Sequence, residues 1–200
     1  MSMPRAYRPP RRVGPAPSKG RILGAVRTLL GEGAFHTSTV EDVAARAGVS
    51  RATVYQQFGS RAGLLDAICD TFVENPELLA IRAAIDTGTP VEALDAVLGH
   101  SVAFWASEEE VLLQLYGVAA VDPAAAAFVA RQRADRRSEL ERLLRRFGEV
   151  DARIGLADLL VLTSFETYVE LRRHAGLEAD EVVETLRSAA RAMLLTPSRA

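Results

Sequence analysis

Between Ser50 and Ser60 the chain sets out Arg51, Thr53, Tyr55, Gln56 and Gln57 with no aspartate or glutamate among them. A guanidinium, two hydroxyls and two carboxamides in so short a span can donate to phosphate oxygens and read the edges of bases. Arginine matches guanine O6/N7 and glutamine matches adenine N6/N7, each discriminating bases by about tenfold to a hundredfold when two-pronged. A helix face meant only for water usually carries Glu and Lys for pairing. The alternative is an ordinary helical hairpin whose polar face is merely solvated.

Those side chains need a rigid mount, and the flanking residues describe one. Val40, Val43, Ala44 and Ala47 recur at i, i+3, i+4, i+7, the stripe of a helix with one buried face. Ser38 and Thr39 precede Glu41 and Asp42 at the spacing of a capping box. Gly48 ends that helix, because glycine takes the left-handed backbone without steric cost. Val49 plugs the corner, Ser50 caps the next helix, and Val54 and Phe58 seat it. Two helices joined this way predict a helix-turn-helix, whose second helix enters the DNA major groove.

Charge is distributed to match. Residues 1–65 hold ten Lys+Arg and three Asp+Glu, whereas residues 66–200 hold fourteen and twenty-three, so a basic front precedes an acidic back. This fits a polyanion-binding head on a body with another task. Cys69 is the sole cysteine, which excludes an intrachain disulfide and suits a reducing cytoplasm, and its apolar setting predicts an inert buried thiol. His36, His100 and His174 stand far apart, so no metal site is expected. No cofactor is expected either: the sequence shows no paired nucleophile and base and no phosphate-cradling glycine loop, which argues against an enzyme. No apolar run is long enough for a membrane span, and the N-terminus lacks the apolar segment of a secretion signal.

The organisation predicted is all-α in three parts. Residues 1–17 carry five of the nine prolines and four arginines and read as a disordered basic arm. Residues 18–65 form the helix-turn-helix domain, and residues 66–200 a helical regulatory and dimerisation domain. Helices are expected near 18–31, 76–86, 91–106, 108–120, 123–147, 152–175 and 179–195, with a helix from Arg61 to about Glu74 joining head to body. The helix near 152–175 is apolar around most of its circumference, so it is buried on every side. Either its own chain wraps it, or it pairs with its copy and with the last helix of each protomer in a twofold four-helix interface. That interface would use Leu156, Leu159, Leu160, Thr163, Leu186, Ala190 and Met193. The body's aromatics and polar groups, His100, Phe104, Trp105, Leu112, Tyr116, Phe128, Phe165 and Tyr168, are candidates to line a ligand cavity rather than fill the core, with Thr163 and Glu166 as polar anchors. Few charges among them favour a largely apolar ligand.

The stretch GAFHTSTVEDVAARAGVSRATVYQQFGSRAGLLDAI, from Gly33 to Ile68, resembles the DNA-binding domain of the TetR family of bacterial transcriptional repressors. The glycine-aromatic turn, the V-x-x-V-A-x-x-A-G-V-S run and the T-V-Y-x-x-F helix carry the likeness, which spans Ser18 to about Phe72. It implies a homodimer on a pseudo-palindromic operator, released when a small molecule enters the regulatory domain. By position, Thr39, Ser50, Thr53, Tyr55 and Arg61 would hold phosphates, and Arg51, Ala52 and Gln56 would lie nearest the bases. Two departures stand out. Ala52 occupies a position where glycine is common, and its methyl could meet a thymine methyl. Gln57 replaces the usual histidine and can donate to a phosphate without carrying charge. A DNA-binding regulator that takes no effector is the main alternative.

Overall fold

The computed structural model describes residues 18–148 and 152–195, and the expected basic arm at residues 1–17 lies outside them. The described residues are helical throughout, with no strand. Helix α1 (Ser18–Gly31) buries Ile22, Ala25, Val26, Leu29 and Leu30. A short 3-10 turn at Phe35–Thr37 leads to α2 (Val40–Ala47). Helix α3 (Arg51–Phe58) and α4 (Arg61–Phe72) follow, and α1 packs on α2, α3 and α4 to close the head.

The head forms as the local signals dictate. Thr39 and Asp42 make a reciprocal capping box: Thr39 Oγ1 accepts from Asp42 N at 3.2 Å and Asp42 Oδ2 accepts from Thr39 N at 2.8 Å. These bonds hold the Asp42 carboxyl below the usual carboxylate range. Gly48 sits at φ 63°, closing α2 with its N–H on the Ala44 and Ala45 carbonyls. Ser50 caps α3 by accepting from Thr53 N at 3.1 Å.

In the body, α5 (Pro76–Ile85), α6 (Pro90–Val118) and α7 (Pro123–Leu144) each begin with proline, whose missing N–H costs nothing in the first turn. Helix α8 (Ala152–Leu162), α9 (Phe165–Val169), a π turn (Glu170–His174) and α10 (Ala179–Leu195) complete the chain. Helix α6 runs beneath α1, α5, α7 and α10, and α8 lies between α7 and α10.

Two expected boundaries differ. The helices expected at 91–106 and 108–120 are one, because neither Gly nor Pro interrupts Ala106–Glu110 and Ser107 keeps its hydroxyl on the Phe104 carbonyl at 2.9 Å. The helix expected over 152–175 instead breaks at Thr163–Ser164. Ser164 takes an extended backbone and caps α9 by accepting from Thr167 N at 3.0 Å. Hydroxyls that offer the backbone other partners break helices in this way. The break also frees the Thr163 carbonyl, which accepts from Arg136 Nη1 at 2.9 Å.

Candidate nucleic-acid interface and internal cavity

Helix α3 turns Val54 inward, 1% exposed, and rests Phe58 against the same core. Arg51, Ala52, Tyr55, Gln56 and Gln57 are exposed, and Thr53 is half-exposed. Tyr55 is 39% exposed, an unusual solvent share for so large a ring. Arg51 stacks its guanidinium over that ring at 5.1 Å and pairs with Glu41 of α2. Its pKa is raised, first by its bond to the Tyr55 hydroxyl and then by Glu41. Gln57 donates its side-chain amide to Ser18 Oγ, tying α3 to the start of α1. Thr39 and Ser50 are exposed at the two helix starts, their hydroxyls serving as caps.

Arg61 is placed differently from the phosphate contact that the resemblance implied. Its guanidinium lies over the Phe35 ring at 4.3 Å, donates to the Phe35 carbonyl at 2.9 Å, and pairs with Asp122 at 2.9 Å. Asp122 is the N-cap of α7, so Arg61 points at the body. Two more ion pairs join head to body: Arg27 of α1 with Glu108 of α6, and Asp66 of α4 with Arg131 of α7 at 3.4 Å.

Behind α4 lies a cavity of about 270 Å³. Cys69, Phe72 and Val73 of α4, Leu78 and Ile81 of α5, Val97, Ser101, Phe104 and Trp105 of α6, and Phe128 and Leu140 of α7 form its apolar side. Asp70, Arg82, Arg131, Gln132, Asp135, Arg136, Glu139 and Thr163 also line it. Glu139 pairs with Arg82 at 2.9 Å. Cys69 is buried, and that burial pushes its thiol up to about 12, the inert state expected of it.

With this geometry in place, the comparisons are specific. Residues 22–68, from within α1 into α4, match the model of the bacterial regulatory proteins of the tetR family. The chain belongs to the TetR family. It is 35% identical over 107 residues to the HTH-type transcriptional regulator AlkX of Mycobacterium tuberculosis, a segment covering 50% of this chain and 48% of AlkX. The match thus spans about half the length of that relative. A TetR-like transcriptional regulator from Rhodococcus sp. RHA1 superposes with a TM-score of 0.71 at 22% identity, covering 90% of this chain and 98% of the other. The TetR family regulator PfmR from Thermus thermophilus gives 0.67 at 20% identity, covering 93% and 100%. These structural likenesses carry the all-α fold across both parts of the chain.

Within this TetR-family fold the sequence-derived cavity residues divide. Phe104, Trp105 and Phe128 line the cavity. His100, Leu112, Tyr116, Phe165 and Tyr168 do not. His100 faces Glu77 at 2.7 Å, Tyr116 donates to Gln132 at 3.1 Å, and Tyr168 donates to Glu109 at 2.8 Å, while Leu112 and Phe165 fill core. Thr163 lines the cavity, whereas Glu166 is exposed and pairs with Arg133 at 2.7 Å. The wall is also more charged than expected, chiefly because of α7. The expected interface residues Leu156, Leu159, Thr163, Leu186 and Ala190 are buried within the chain itself and face no partner. On α8 and α10 it is Val161, 63% exposed, and Met193, 52% exposed, that point outward, with Leu160 half-buried beside them. Among the described residues no group of His, Cys, Asp and Glu is arranged to hold a metal ion, and no single helix is long and apolar enough to cross a membrane.

Proposed function

We propose that the protein is a homodimeric transcriptional repressor that binds a pseudo-palindromic DNA operator through α3 and lets go when a small molecule occupies the cavity behind α4. The exposed face of α3 carries this reading: donors at Arg51, Tyr55, Gln56 and Gln57, the Ala52 methyl, and no acid on the helix. Thr39, Ser50 and Thr53 stand at the helix starts, where backbone N–H groups favour phosphate. AlkX, as a transcriptional regulator of helix-turn-helix type, supports the same role.

Pairing two copies supplies the second recognition helix. Ala157, Leu160 and Val161 of α8 and Ala189, Ala192 and Met193 of α10 leave an outward surface of small and apolar side chains, suited to close helix packing across a twofold axis. Half-sites on DNA lie about 34–36 Å apart, so a small change in head separation loses register. The cavity touches Cys69, Asp70, Phe72 and Val73 of α4, the helix that continues into the head. An occupant that prefers one position of α4 shifts operator affinity by its preference between the two states and no more. The cavity also favours an effector-responsive regulator over a constitutive one, for which a filled core is expected.

Capture of genomic DNA by the purified protein, followed by gel shift of the recovered fragments, tests the reading. One recurring inverted repeat, bound in preference to random competitor, is expected. Uniform affinity for all duplexes overturns it.

A further inference from the structure

Arg136 is the cavity's one charged side chain that is substantially buried and has no carboxylate at ion-pair distance among the described residues. Its Nη1 donates to the Thr163 carbonyl at 2.9 Å, and its Nε is buried without an acceptor among the described residues. What remains is the Nε–Nη2 edge, the two-donor edge that matches a carboxylate. The other charges on the wall are accounted for. Arg82 pairs with Glu139 and Arg131 with Asp66, and Asp70 and Asp135 are solvent-exposed. Burial pulls the Arg136 pKa below the ordinary arginine value, and nearby Glu166 is held by Arg133. The Trp105 Nε1–H, on a side chain 3% exposed, is a second buried donor without an acceptor. A buried cation without a counterion and an unpaired buried N–H are both costly. Opposite them, Phe72, Ile81, Phe104, Phe128 and Leu140 offer hydrocarbon and ring surface.

We propose that the cavity binds a small amphipathic anion, a single carboxylate on an apolar body, with the carboxylate seated on Arg136 and the body against the aromatic wall. This deepens the effector reading and rests on it. The cavity, at about 270 Å³, lies near the low end of ligand pockets, which favours a compact molecule. One guanidinium edge matches a planar monoanion, and a cation would meet Arg136 unfavourably.

Trp105 is the only tryptophan of the chain and lines the cavity, so its fluorescence reports occupancy directly. The full chain is titrated with octanoate, 1-octanol and octylamine, each below its aggregation concentration, with operator gel shifts run in parallel. Octanoate is expected to bind at least about tenfold more tightly than either of the others. Arg136→Gln, with its fold checked by circular dichroism, is expected to bring octanoate down to the level of 1-octanol and leave 1-octanol unchanged. Equal or tighter binding of the alcohol or amine to the unaltered protein overturns the proposal, as does an octanoate preference surviving in Arg136→Gln, or no binding of any probe. Octanoate bound through Arg136 without effect on DNA leaves this site standing and removes the effector reading. Release of DNA by 1-octanol alone does the reverse.

Discussion

Arg61 Nη1 donates to Asp122 Oδ2 at 2.9 Å, while Asp122 Oδ1 accepts from Ala124 N at 2.9 Å and Ala125 N at 3.2 Å. One carboxylate therefore both starts α7 and holds α4 to it. Burial pushes the Asp122 carboxyl up, but the Ala125 N–H, the Arg61 guanidinium and the Ala124 N–H together outweigh it, and the group lies below the ordinary aspartate value. A depressed carboxyl contributes stability that is complete above the ordinary aspartate pKa and is lost as pH falls through the depressed one. Asp122→Asn keeps a capping side chain and removes the charge. It is expected to cost about 1 kcal/mol in denaturant unfolding at neutral pH, since Arg61 is 33% exposed and solvent screens the pair, and to flatten the acid limb of the stability curve. Arg61→Ala is expected to leave the salt slope of operator binding unchanged. A slope smaller by about 0.9 would return Arg61 to a DNA phosphate.

Arg51 reaches DNA only by trading Glu41 for it. The two side chains are paired across α2 and α3 and both are exposed. Glu41→Ala removes an acid beside the DNA face and releases the guanidinium. It is expected to strengthen binding to all duplexes by about two- to fivefold, the scale of an exposed ion pair. Arg51→Ala is expected to relax preference at one base pair of each half-site by about tenfold or more. Competition gel shifts against single-base operator variants separate the two effects. A uniform loss across all variants would make Arg51 a phosphate contact.

The head was legible because its signals are short-range and chemically distinct. Thr39 with Asp42, Gly48 at positive φ and Ser50 each fix one terminus within a few residues, and the structure realises all three. The body's signals are not of that kind. Leu159 and Val161 sit on a helix apolar all round, so composition could not tell which faces the core; Leu159 is 0% exposed and Val161 63%. Ser164 breaks that helix without any Gly or Pro to announce it. Arg136 stands in the run Arg131–Arg137, which reads as a solvated face, and its burial follows only from α7 crossing the cavity. The role of Arg61 was hidden for the same reason, since Asp122 is far off in sequence and near only in the fold.

Cys69 gives a probe of the α4 wall that needs no operator. With its thiol at about 12, the thiolate at neutral pH is about a thousandfold scarcer than for an ordinary cysteine. Iodoacetamide is expected to label the native protein far more slowly than the same chain in denaturant, with the rate rising as pH increases. Native labelling at the unfolded rate would mean that the α4 wall opens readily to solvent.

Val161 and Leu159 distinguish association from folding on a single helix. Val161→Glu places a charge on the outward surface of α8, beside Leu160, where a twofold partner is proposed to pack. The expected product is a monomer with unchanged far-ultraviolet circular dichroism and weakened operator binding, because the second recognition helix is no longer tethered. Leu159→Ala hollows the chain's own core and is expected to cost about 2–5 kcal/mol in unfolding, with association falling only as far as folding does. Sedimentation velocity and denaturant melts on the two variants settle which face does what. If Val161→Glu remains a folded dimer, the α8–α10 surface is not where the copies meet.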